Sequence, residues 1–164
     1  MFELPFQDES FDLIWSEGAI YSMGFTDGVK RMRRFLRNDG YLVVSEISWL
    51  RRDIPREIRD YWEGAYPEIK HISGNIEIME KNGYAPAGFF VLDEKGWLDN
   101  YYLRLLKHEK AYRRKYPLEK DVDEIFHEIH TECQFYMRYK DYYGYVFYIM
   151  KKDGHLVITD DVVE

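Results

Sequence analysis

Carboxylates that follow strand-like runs are the first candidates for chemistry in this chain. Phe11-Asp12-Leu13-Ile14-Trp15-Ser16 reads as a short buried strand, and Glu17-Gly18 follows it as a loop. Tyr41-Leu42-Val43-Val44-Ser45-Glu46 reads as a second, near-continuous apolar strand, with Trp49 just beyond it. Ligands of open α/β sheets bind beyond the carboxyl ends of the strands, which is where Ser16, Glu17, Gly18, Glu46 and Trp49 fall. Glu17 is therefore a candidate general base or ligand contact; a solvated or helix-capping carboxylate is its plainer reading. Aromatic residues make up 18% of the chain, enough that flat side chains must line either a core or a pocket. Tyr21, Tyr66, Trp97, Tyr142 and Tyr143 form a candidate pocket wall, of a kind that attracts cationic or flat ligands. Tyr61 and Trp62 read instead as the core-facing side of a helix.

Other reactive residues point to structure. His127 and His130, with Glu124 and Glu128, form His-Glu-Ile-His, one residue short of the H-E-x-x-H zinc motif. The two rings do not stand at i and i+4, so a solvated helix face is the better reading and no metal is expected. Cys133 falls in an apolar helical stripe and reads as a buried thiol. It is the one cysteine, so no intrachain disulfide forms and nothing suggests secretion. Basic residues between Lys30 and Arg37 fill the polar side of an amphipathic helix, but the net charge of −7 argues against nucleic acid as a partner. The opening residues lack a signal peptide's basic and apolar regions, and no run reaches the roughly 18 apolar residues of a membrane span. The expected location is cytoplasmic, with no membrane partner.

The elements that must position these residues follow from periodicity. Phe25, Val29, Met32 and Leu36 recur at helical spacing until Asn38-Asp39-Gly40 stops the pattern. Asp53 and Pro55 open a second helix with an aromatic-rich face, and Pro67 ends it. Residues 73–82 form a shorter helix stopped by Gly83, and residues 89–92 a third strand. Two long helical patterns follow, over 97–116 and from about Asp121, the second with a stripe of Val122, Ile125, Phe126, Ile129, Cys133 and Met137. Residues 145–150 are a fourth strand, and 156–159 a short extension before an acidic tail. Strands alternating with helices predict an α/β domain with a mostly parallel sheet, over residues 1–152, with 153–164 as the tail.

Several runs carry a resemblance. Leu4-Pro5-Phe6, Ser10-Phe11-Asp12-Leu13-Ile14 and Gly40-Tyr41-Leu42 resemble class I S-adenosylmethionine-dependent methyltransferases, from before the fourth strand of that fold through its fifth. Trp15-Ser16-Glu17-Gly18-Ala19-Ile20-Tyr21, Ser45-Glu46-Ile47-Ser48-Trp49 and residues 140–146 look like a bacterial and archaeal subgroup acting on small molecules. The resemblance implies a partial Rossmann-like sheet, the counterparts of strands four to seven with flanking helices, the last strand running antiparallel. It implies Phe2, Leu4, Ser16, Glu17 and Gly18 as cofactor contacts, Glu17 as the catalytic carboxylate, and Tyr21, Trp49, Tyr66, Trp97, Tyr142 and Tyr143 as acceptor contacts. The family's acidic partner for adenine is replaced here by Phe2, which can stack but cannot accept a hydrogen bond. The Gly-rich cofactor loop is absent, because no two of the 11 glycines are separated by a single residue. The chain therefore reads as a truncated methyltransferase that binds S-adenosylmethionine weakly or not at all, or as an interaction module that has lost cofactor binding. Strand Phe11–Ser16 then becomes a bare edge, and a homo-oligomer through it or through the helix after it is expected, sensitive to a charge at Ile14.

Overall fold

A computed structural model describes residues 4–117 and 119–154. Phe2 and the extension expected at 156–159 lie outside the described residues. In chain order the elements are β1 (Phe11–Ser16), a 3₁₀ turn (Ile20–Met23), α1 (Phe25–Arg33), β2 (Leu36–Trp49), α2 (Arg56–Ala65), β3 (Lys70–His71) and α3 (Ile72–Lys81). There follow β4 (Tyr84–Val91), α4 (Glu94–Trp97), a π turn (Leu98–Tyr102), α5 (Leu103–Lys115), α6 (Lys120–Tyr139) and β5 (Tyr143–Lys152).

The main sheet runs β1-β2-β5-β4, with β3 pairing to the end of β2. β1 and β3 lie parallel to β2, whereas β5 runs antiparallel to both β2 and β4. β5 is thus inserted between two strands that point the same way. This is the mixed sheet with an antiparallel last strand that the resemblance implies.

Side-chain alternation along β2 feeds two cores. Leu42 and Val44 join Phe25 and Val29 of α1, Met79 of α3, and Tyr148 and Met150 of β5. Ile47 and Trp49 join Ile58 and Trp62 of α2, Trp97, Tyr102, and Tyr136 and Tyr139 of α6. The first core contains a closed polar network. The Asn75 amide donates to Ser48 Oγ and to the Tyr148 hydroxyl, both at 3.1 Å, and Ser48 and Tyr148 share a hydrogen bond of 2.7 Å. Buried polar groups are tolerated there because each is paired.

Several elements depart from the sequence expectation; the second strand, expected over 41–46, runs from Leu36 to Trp49, and the second helix starts at Arg56 with Pro55 just before it. The helix expected to run to Leu36 ends at Arg33, and Leu36 opens β2 opposite Phe11. Its helical spacing from Met32 is coincidental: Leu36 is fully buried because it starts an interior strand. The third expected strand begins at Tyr84, well before residue 89. The single helix expected over 97–116 is an α–π–α segment that starts at Glu94, whose Asp93 side chain accepts from the Lys95 N–H at 2.8 Å as a cap.

Candidate functional site

The register of β2 leaves an opening beside it. β1 ends at Ser16 opposite Val44, and β3 begins only opposite Ser48. Among the described residues, 45–47 therefore have no strand neighbour on that side, at the carboxyl end of the parallel strands. The chain leaving β1 turns through Gly18, whose φ of 57° suits a residue without a Cβ, and its N–H donates to Ser45 Oγ at 2.7 Å. That bond fixes the Glu17-Gly18 loop over the gap.

A cavity of about 350 Å³ opens there, with Glu17, Gly18, Tyr21 and Ser45 on one side and Trp97, Asn100 and Tyr101 on the other. A second cavity of about 250 Å³ adjoins it and holds Glu46, Trp62 and Tyr66. Tyr21, Tyr101, Glu132 and Tyr145 line both and form the wall between them. The π turn packs Trp97 against the second core and puts Asn100 and Tyr101 on the cavity; such turns interrupt helices often at functional sites.

The site is acidic and apolar. Glu46 is 2% exposed, and among the described residues neither of its carboxylate oxygens has a partner in good hydrogen-bond geometry. Burial pushes its pKa up to about 7, with Glu68 adding to the rise and the Tyr66 hydroxyl and Lys70 opposing it. Glu132 is also raised, chiefly by burial, although the Tyr102 hydroxyl donates to it at 2.5 Å and Glu128 adds to the rise. Glu17 is exposed, and Trp15 Nε1 donates to its carboxylate at 3.3 Å. Among the described residues, no Lys, Arg or His lines either cavity.

The structure brings Glu17, Gly18, Tyr21 and Trp97 together on the first cavity and places Tyr66 on the second. The other candidates lie apart. Leu4 sits in an apolar groove with Phe6, Phe11 and Phe35, and Ser16 pairs with Val44 without lining either cavity. Trp49 and Tyr143 pack edge to face in the second core, and the Arg51 guanidinium covers the Tyr142 ring at 5.0 Å. The basic residues between Lys30 and Arg37 include Arg33, which donates to the Asp153 carbonyl at 2.6 Å, and Arg37, paired with Asp12. His130 faces Glu109 at 2.9 Å on the helical hairpin, and among the described residues no cluster could hold a metal ion.

Sequence reasoning missed Glu132, Tyr101 and Tyr145, and it missed Trp62, read as core alone. A signal existed for Glu132: it stands three residues after Ile129 and four before Tyr136, on the buried side of α6. No comparable signal marked Tyr101, because the π turn changes the helical phase just before it.

A family model described as a methyltransferase domain matches residues 1–44. No curated protein sequence matches. Among solved structures, the fold is similar to that of an S-adenosylmethionine-dependent methyltransferase from Geobacter sulfurreducens bound to S-adenosylhomocysteine. That pair has a TM-score of 0.69 at 18% identity over 88% of this chain and 59% of the other. The Thiobacillus denitrificans enzyme of the same description gives 0.69 at 17% identity, over 88% and 59%. E. coli YjhP gives 0.70 at 18% identity, over 87% and 59%. The chain thus spans about three-fifths of each of these proteins. The resemblance to class I S-adenosylmethionine-dependent methyltransferases holds, at the level of the fold and of the first 44 residues.

Proposed function

We propose that this chain contributes the acceptor-facing part of an S-adenosylmethionine-dependent methyltransferase that acts on a small molecule. The observation that carries this reading is the gap beside residues 45–47, which opens two joined cavities at the carboxyl ends of β1 and β2. The cofactor, when bound, supplies an electrophilic methyl on a cationic sulfur. The first cavity suits such a group: Glu17 and Glu132 are carboxyls on its wall, Trp97 and Tyr101 offer ring faces, and among the described residues no cationic side chain lines it. Glu17, on the loop fixed by Gly18 and Ser45, holds the donor's positive end and is the candidate catalytic carboxylate. The α–π–α segment lines one side of the cavity with Trp97, Asn100 and Tyr101, and the two rings make that side of the site apolar.

A second reading, an interaction module without cofactor binding, is favoured by one feature: these 164 residues contain no G-x-G, the pattern that approaches the methionine end of the cofactor in the resembled enzymes. Titration with S-adenosylhomocysteine, followed by NMR, separates the two. The expected result is weak binding, with a dissociation constant well above micromolar (weaker than about −8 kcal/mol). The shifts should centre on the Gly18 and Ser45 amides and the Trp97 indole, and Glu17→Ala should diminish them. If those signals stay fixed at millimolar ligand, the second reading holds.

A further inference from the structure

The second cavity carries an inference that rests on the methyltransferase reading and extends it. Its floor is Glu46, a carboxyl almost wholly out of water whose oxygens have no partner in good hydrogen-bond geometry among the described residues. A buried carboxyl whose one neighbouring donor, the Tyr66 hydroxyl, does not close a well-formed hydrogen bond is costly unless it stays neutral or something fills the space in front of it. That space exists: Glu46 lines a cavity of about 250 Å³. Trp62, Tyr66, Tyr101 and Tyr145 surround it with rings, and Glu132 brings a second carboxyl from α6.

The composition of the walls discriminates among ligand classes. An anionic acceptor, such as a phosphate or carboxylate, needs Lys, Arg or a cluster of N–H donors, and among the described residues no Lys, Arg or His lines either cavity. A neutral apolar acceptor leaves Glu46 and Glu132 facing hydrocarbon. A cation suits both features: the carboxyls supply opposite charge, and the ring faces attract a positive group through their quadrupoles. The charged groups around Glu46 beyond the cavity are Glu68 and Lys70, one of each sign, so they leave the acidic balance of the cavity in place. The cofactor's own positive sulfur does not account for this pair of features, because Glu46, Trp62 and Tyr66 belong to the second cavity and not to the first.

We propose that the second cavity is the methyl-acceptor site and that the acceptor is a small amine bound as its ammonium ion, with Glu46 as its counter-ion and the Trp62, Tyr66 and Tyr101 rings as its cage. The N–H proton passes to the Glu46 carboxylate, and the freed lone pair forms the new C–N bond as the methyl–sulfur bond breaks, leaving the cofactor as a neutral thioether. Glu132, held by the Tyr102 hydroxyl, lies in the wall shared with the donor cavity and orients the cation toward it.

The test uses choline as the cation and 3,3-dimethylbutan-1-ol, which replaces the quaternary nitrogen by carbon, as its neutral isostere. Both are titrated into the chain at pH 8, where the Glu46 carboxyl is ionised, while the Trp62 indole resonance is followed. Choline should saturate the Trp62 shift, and the isostere should bind at least about tenfold more weakly. Glu46→Gln should lose about tenfold in choline affinity and leave the isostere's unchanged. Equal binding of the two ligands, or choline binding undiminished in Glu46→Gln, overturns the proposal. So does the absence of both shifts in a chain whose circular dichroism and melting show it folded. The comparison of the two ligands on the unaltered chain needs no variant to fold. The homocysteine-derivative shifts at Gly18 and Trp97 are read separately. A failed cation site with those shifts intact leaves the methyltransferase reading standing; lost shifts with a working cation site do the reverse.

Discussion

Glu46 lies near the carboxyl end of β2, where its neighbours Val44, Ser48 and Tyr148 are all buried, and its carboxyl is out of water as they are. Desolvation favours the protonated form, so the native state holds its proton up to about pH 7, against 4.5 for an ordinary glutamate. The sign of the linkage follows. Between those two values the native chain binds more protons than the unfolded one, and stability falls as pH rises. The contribution is fully present below about pH 4.5 and lost above about pH 7, a swing of roughly 3 kcal/mol at about 1.4 kcal/mol per pKa unit. Glu132, raised by the same cause, adds to the slope in the same direction. Glu46→Gln is expected to flatten the pH dependence and to be more stable than the parent at pH 8, as read from urea unfolding at a series of pH values. An unchanged slope in the variant would place the effect elsewhere. The position of Glu46 at the strand's end was legible in the sequence. Its solitude was not, because strand alternation says which face a residue takes but not where a neighbouring strand stops.

Helix α1 shows how much an element depends on partners remote in sequence. Its N-terminus follows Gly24, at φ 77°, and the Phe25 N–H donates 3.2 Å to the carboxylate of Glu68 from the loop before β3. Within it, Gly28 lies against the 3₁₀ turn so closely that a Cβ would stand 2.4 Å from Ile20 Cγ1. Gly64 in α2 has no atom within 4 Å of a Cβ placed on it. Both glycines lie in helices, where alanine alone gains up to about 1 kcal/mol. Gly64→Ala should therefore stabilise by a few tenths to about 1 kcal/mol, whereas Gly28→Ala should destabilise by about 1–3 kcal/mol through overpacking. Chemical denaturation of the pair checks this, and equal effects would show that the Ile20 contact yields without cost. The sequence carried the existence and order of the main elements well, since apolar spacing marks a buried face. It failed where one period runs into another. Leu36 continues the spacing of α1 while belonging to β2, and the turn at Leu98–Tyr102 hides inside a helical pattern whose phase it shifts.

At the scale of the whole molecule, the two faces of the sheet are covered unequally. The face carrying Leu42, Val44 and Met150 is packed by α1 and α3. The opposite face is packed by α2, α4 and α6 only toward the carboxyl end of β2. Farther back, Leu13 and Trp15 are 53% and 56% exposed, and Tyr41 and Phe90 are also open to solvent. Trp15 and Phe90 both reach Phe147, at ring distances of 5.8 and 4.8 Å, so the open residues join into one aromatic band. Among the described residues β1 pairs with β2 alone, which adds a free strand edge beside that band. Contiguous apolar surface next to an unpaired edge promotes association between chains. The 164-residue chain is expected to self-associate as concentration rises, with a two-fold contact across this face. The informative substitution differs from the one suggested by sequence. Ile14 packs against the first core, so a charge there should lower the melting temperature by unfolding that core. Leu13→Lys with Trp15→Lys alters only outward-facing positions and should weaken association by more than about tenfold with little loss of melting temperature. Sedimentation velocity over a concentration series reads both. A parent chain that stays monomeric at tens of micromolar, or a double variant that associates like the parent, would move the contact away from this face.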